Sequence, residues 1–221
     1  MADAAAPEKS TFARTQTFLG ALMGGLSIFA LVAKTWTSGI ATPIQLLVET
    51  YNAFLNFFLG WAQPYLHTAA ETLGAWTGFD LHLYPHWKES VVAYGILVGA
   101  GLSAWAKTKL PSAPQLPITI VASAVGVVVG LVDAMLQRDL QPGEAFFGLW
   151  QVIGQNYLLV LTFAFAAMLA VLGLVARRST QSFLSPRDAD LCWTVGERAL
   201  GIYAGAAAFA LVGVGGKILG L

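Results

Sequence analysis

Charge is what this sequence has least of. Only 11% of its 221 residues are Asp, Glu, Lys or Arg, against about 25% in soluble domains. So few charges cannot clothe a water-facing surface, which excludes an ordinary soluble domain. The charges also balance, with 12 Lys+Arg and 12 Asp+Glu. No clustered basic surface results, and nucleic acid is not an expected partner. A lone cysteine, Cys192, cannot form an intrachain disulfide and carries no information about redox compartment. The chain has no P-loop, HExxH, GxSxG, GxGxxG or CxxC. With so few polar groups available, no catalytic constellation is expected, and neither a cofactor nor a metal.

Long apolar runs are present in excess. The mean hydropathy is +0.67, and runs cover Thr17–Ala33, Val91–Ala106, Pro117–Leu136, Tyr157–Ala176 and Ala199–Gly216. Each approaches the roughly 20 residues that a helix needs to cross a hydrocarbon core. The expectation is an all-α membrane protein: one membrane-embedded helical domain over 1–221 with about five transmembrane helices. An additional amphipathic or re-entrant helix is expected at 43–66, within an outer segment 43–90. The first run is not expected to be a signal peptide, because Asp3 and Glu8 precede it and no small-x-small cleavage site follows.

Positive charge orients the spans. With five spans, Lys9, Arg14, Lys107, Lys109, Arg177, Arg178, Arg187 and Arg198 fall on one side. Lys34, Lys88, Arg138 and Lys217 fall on the other. This places the N-terminus in the cytoplasm and the C-terminus outside, and an Ala-rich, Lys-poor composition fits a bacterial inner membrane. Trp36, Trp87, Trp105 and Trp150 sit near span ends, where an indole prefers the headgroup region. Thr42-Pro43 and Ser185-Pro186 each read as an N-cap followed by proline at the first helical position. The second start could run into the last span as one long helix.

Two of the three histidines lie in GFDLHLYPHWKES, residues 78–90. His82 and His86 are four apart, but Pro85 stands between them and forbids a helical metal pair. A haem would want its histidine within a span, and none is there. The stretch reads as a wet loop with Tyr84, Trp87 and Lys88 as interface anchors.

Residues 43–66 carry more. At 100° per residue, Gln45, Glu49, Asn52, Asn56 and Gln63 share an arc of about 60°, and the rest of the circumference is apolar. Such a narrow stripe suits a polar seam against neighbouring helices or the lining of a pore. Asp133, the lone acid of the third span, lies one turn from Arg138 and could simply reach water. A fourth helix starting near Gly143 would overrun the membrane and project outward. Close helix packing is expected at Gly20/Gly24, Gly95/Gly99, Gly126/Gly130 and Gly201/Gly205, a Gly-x3-Gly in four of the five spans. The expected function is that of a non-catalytic accessory subunit, partnered by the lipid bilayer and by other membrane subunits or copies of itself. The alternative is a small homo-oligomeric channel lined by the 45–63 stripe.

Overall fold

The computed structural model describes residues 11–33, 41–110, 114–136, 157–179 and 184–220. These residues form seven α-helices and one 3-10 turn: α1 (Thr11–Ala33), α2 (Thr42–Leu59), the turn Gly60–Ala62, α3 (Gln63–Thr77), α4 (Trp87–Lys109), α5 (Gln115–Leu136), α6 (Tyr157–Arg178) and α7 (Pro186–Ile218). No strand occurs among the described residues. Helices satisfy their own backbone donors and acceptors, which is the condition for crossing lipid. Among the described residues, four helices are long and apolar enough to do so: α4, Leu116–Leu136 of α5, α6 and α7. The first of the five expected spans is shorter, an apolar stretch at Phe18–Ala33 within α1. The expected segment preceding α6, including a start near Gly143, lies outside the described residues, as do Lys34, Trp36, Arg138 and Trp150.

Local sequence explains most of the boundaries. Ser185 caps α7, its hydroxyl accepting from the Asp188 amide at 3.2 Å, with Pro186 entering the first turn. The helix then runs 33 residues without a break, which at 1.5 Å per residue exceeds a core of about 30 Å. Its first turns therefore stand clear of the hydrocarbon. The start of α2 differs from expectation. Thr42 is already helical and Ala41 is the N-cap, with no side-chain cap; the Ala41 amide donates instead to the Gly213 carbonyl of α7 at 2.9 Å.

The single helix expected over 43–66 is corrected to two helices joined by the turn at Gly60–Ala62. Proline explains the break. Pro64 has no amide to donate, and its ring would meet the Gly60 carbonyl four residues back, so an α-ladder cannot pass through. The α3 helix ends at Gly78, whose φ of 72° and amide bond to Gly74 form a left-handed cap that a side chain would strain.

Close backbone approaches then set the packing. Gly126 lies against the Tyr94 carbonyl and Gly95, and Gly130 against Val91 and the Ser90 carbonyl, so α5 runs antiparallel to α4. Gly173 sits on Trp193 and Gly196 on Ala166 and Ala170, pairing α6 antiparallel to α7. Gly25 rests on Gly205 and Ala206, while Phe29 meets Phe209 at 6.0 Å between centroids, so α1 accompanies α7 in the same direction. The main core gathers Leu26, Phe29, Leu31, Tyr94, Leu97 and Ile202 from α1, α4 and α7.

These directions give the bundle two unlike ends. One carries Lys107, Lys109, Arg177, Arg178 and Arg187. There Lys109 reaches Asp188 at 2.6 Å, Arg177 reaches Asp190 at 2.7 Å, and Arg187 donates to the Thr108 carbonyl. The opposite end carries the α2–α3 arm. α2 starts beside Gly213, near the end of α7, and finishes beside Lys88, at the start of α4. Both attachments lie at the same end of the bundle, so α2 runs across that end rather than through the bundle.

Candidate functional site: a polar nest at the start of α4

The site begins where the sequence suggested a wet loop. Residues 78–86 are outside any helix, and Phe79, Asp80 and His82 are exposed. Trp87, Lys88, Glu89 and Ser90, however, are all buried and form the first turn of α4. Four successive buried residues cover the full circumference of a helix, so the start of α4 is enclosed on every side. The wet-loop expectation is therefore corrected for 87–90. Helix formation wins there because Pro85, two residues upstream, stops the helix without entering it, and because Tyr84 ties the entry down. The Tyr84 amide donates to the Ala134 carbonyl at 3.1 Å, and its carbonyl accepts from the Trp87 amide at 3.0 Å.

Each residue of this turn meets a different element. Trp87 packs with Val91 and Ala134, under Leu59, Ala62, Leu66 and Leu83. Lys88 Nζ donates to the Asn56 side-chain oxygen of α2, and to Gln63 Oε1 of α3 at 3.4 Å. Glu89 lies 3.6 Å from His86 Nδ1, and in the first turn its charge is favoured by the helix dipole. Ser90 Oγ donates to Asp133 Oδ2 of α5 at 2.7 Å. On the neighbouring α1–α2 contact, the Ser27 and Tyr51 hydroxyls are hydrogen-bonded to one another, and Tyr51 is buried.

Asp133 thus does not reach water. It is 2% exposed, one turn beyond Gly130 on the face that meets α4. Charged groups in a bilayer cost about 2.5–3.5 kcal/mol on insertion scales and persist when they are partnered. The nest supplies partners: amide oxygens for Lys88, a hydroxyl for Asp133 and an imidazole beside Glu89. Two more polar atoms are enclosed at this end without a hydrogen-bond partner among the described residues, Asn52 Oδ1 and Trp87 Nε1. The chemistry of the arrangement is fastening: it ties the arm to α4 through Lys88, and α4 to α5 through Ser90.

The sequence-derived stripe is split by this geometry. Asn56 and Gln63 converge on Lys88 even though a turn and a proline separate them. Asn52 is half-buried beside Tyr51, Gln45 is half-buried, and Glu49 is exposed. The helix instead turns Ile44, Val48, Tyr51, Leu55 and Leu59 to the bundle.

The glycine pairs also divide. A β-carbon at Gly99 would fall 2.8 Å from Ser123 Oγ, at Gly24 2.8 Å from Ile202 Cγ2, and at Gly205 3.2 Å from the Ala21 carbonyl. Gly95 would make only ordinary contact, 3.5 Å from Val127. Gly20 and Gly201 face open space, and the expectation of close packing is corrected there. The intimate contacts at Gly25, Gly173 and Gly196 lie outside the Gly-x3-Gly pattern; at each a single glycine meets backbone of the facing helix, such as Ala206 against Gly25 and Ala170 against Gly196.

Each histidine lies beside its own acid, His67 beside Glu71. His82 pairs with Asp80 at 2.8 Å on the exposed loop, apart from the His86–Glu89 contact. Among the described residues no three of His, Cys, Asp and Glu come together. At the basic end, the hydrogen bond from Lys109, with that from Ser185, holds the Asp188 carboxyl below its ordinary pKa of 3.8. No family model, no curated protein and no solved structure matches this chain.

Proposed function

We propose that this membrane protein is a non-catalytic accessory subunit of a larger membrane assembly, and that the α2–α3 arm carries its partner contact. The supporting observation is how the arm is used. Asn56 and Gln63 engage Lys88, and the arm's exposed surface carries many aromatics. Phe57 is 80% exposed, Trp61 71% and Trp76 85%, and Phe54, Phe58 and Tyr65 accompany them. Interfaces between proteins are enriched in such side chains. The partner is another membrane subunit or a second copy of the chain. By the positive-inside rule the basic end faces the cytoplasm and the arm faces outward, with a bacterial inner membrane as the setting.

The test is particle mass in nanodiscs drawn directly from the native membrane. A particle well above the 23.4 kDa chain is expected, reduced to the single chain by combined Trp61→Ala and Trp76→Ala with helicity and melting unchanged. A wild-type particle containing one chain alone overturns the proposal. A symmetric ring that conducts cations in liposomes would favour the channel instead. Cysteines at Thr77 and Ser179, in a Cys192→Ser background, should label from opposite sides of the membrane.

A further inference from the structure

The depth of α2 follows from what it touches. On α7, Asp188 and Asp190 pair with Lys109 and Arg177 and mark the basic, water-facing end. At 1.5 Å per residue, Gly213 stands about 35 Å further along that helix than Asp190. Its carbonyl holds the Ala41 amide at the start of α2. Ser27 is deeper. It lies between Gly25 and Phe29, which meet Gly205 and Phe209, so it is level with Ala207, about 25 Å from Asp190. The Tyr51 hydroxyl of α2 is bonded to Ser27 there. A hydrocarbon core is about 30 Å thick. The helix therefore straddles the far boundary of that core, with Ala41 at headgroup level and the Tyr51 hydroxyl below it.

A helix at this depth meets acyl chains on one side and water on the other, and lipid sorts its faces by polarity. The stripe turned to the bundle, Ile44, Val48, Tyr51, Leu55 and Leu59, separates two unlike flanks. On one, Leu47, Phe54 and Phe58 share an arc of about 40° at 100° per residue, and all three are exposed. The other flank holds Gln45, Glu49, Asn52 and Asn56, centred about 170° away round the helix. Charge narrows the contact further. No Lys or Arg occurs between Thr42 and Trp87, so this segment offers nothing to anionic headgroups. Its attraction to a bilayer is to hydrocarbon.

We propose that α2 is an interfacial helix in the leaflet opposite the basic end, with Leu47, Phe54 and Phe58 among acyl chains and Glu49 in water. Lipid on this flank sets the height of the arm and leaves Phe57, Trp61 and Trp76 to the partner. The proposal does not rest on that partner contact: a particle of one chain would end the accessory reading and leave this one standing.

Spin labels test it. In a Cys192→Ser background, Leu47→Cys, Phe54→Cys, Phe58→Cys and Glu49→Cys each carry one nitroxide, with the full chain in phosphatidylcholine nanodiscs. Phe54 and Phe58 stack on one another at 4.7 Å, so Leu47 reads the flank independently of that pair. Oxygen concentrates in hydrocarbon and a charge-neutral nickel chelate in water. Collisions with oxygen should prevail at 47, 54 and 58, and the ratio should invert at 49. The chelate prevailing at all four positions overturns the proposal, because the arm then stands clear of the membrane. Oxygen prevailing at all four does so too, since the helix would be wholly submerged. Few collisions with either reagent at 47, 54 and 58 would show that protein, a second copy of the chain, covers the flank instead of lipid.

Discussion

Replacing Gly130 with alanine tests the contact that positions the nest. A β-carbon there would stand 2.7 Å from Val91 Cα and 2.8 Å from the Ser90 carbonyl oxygen. Both are backbone atoms, so no side chain can swing aside; α4 and α5 must separate. Overpacking of this kind costs about 1–3 kcal/mol. Separation would also stretch the Ser90–Asp133 bond, and interhelical hydrogen bonds in membranes average about 0.6 kcal/mol. Against this, alanine favours the helix over glycine by about 1 kcal/mol. Gly201→Ala cancels that term, because Gly201 is also helical but has nothing within 4 Å of a β-carbon. The difference between the two variants is then the packing cost alone. At about 2–4 °C per kcal/mol for a chain of this size, Gly130→Ala should melt at least about 2 °C below Gly201→Ala, followed by circular dichroism in nanodiscs. Gly201→Ala itself should melt at or above the wild type. Equal melting of the two would show that the α4–α5 approach is not tight, and the account of how Ser90 reaches Asp133 would fail with it.

Two further perturbations address the fastenings. Lys88→Ala removes the donor shared by Asn56 and Gln63; hydrogen bonds to a charged group are worth about 1.5–3 kcal/mol, so amide exchange over 52–66 should quicken while α6 and α7 stay protected. Unchanged exchange in the arm would mean that apolar contacts alone hold it. At the basic end, a folded-state pKa held below 3.8 at Asp188 contributes stability at neutral pH, lost as pH falls through that lowered value. Asp188→Asn should therefore melt slightly below the wild type at pH 7, with the gap closing below about pH 4; a gap that persists in acid would assign the effect to the Ser185 cap rather than to charge.

Composition and hydropathy alone determined the membrane setting and the helical architecture, because lipid admits so few ways to satisfy a backbone. The sequence also showed the Ser185-Pro186 start of α7 and the small-residue face at Gly126 and Gly130, both local signals. One step further along that face lies Asp133, so its approach to α4 was within reach of helical spacing. Extending the second expected span upstream from Val91 to the stop at Pro85 would likewise have drawn Lys88, Glu89 and Ser90 into it. What spacing could not supply was depth. Lys88 looks like a snorkelling anchor until α2 and α3 are laid over it, and the bend at Pro64 then returns Gln63 to the same ammonium as Asn56. Whether a charge in such a chain is wet or buried depends on which helix crosses above it, and only the tertiary structure decided that.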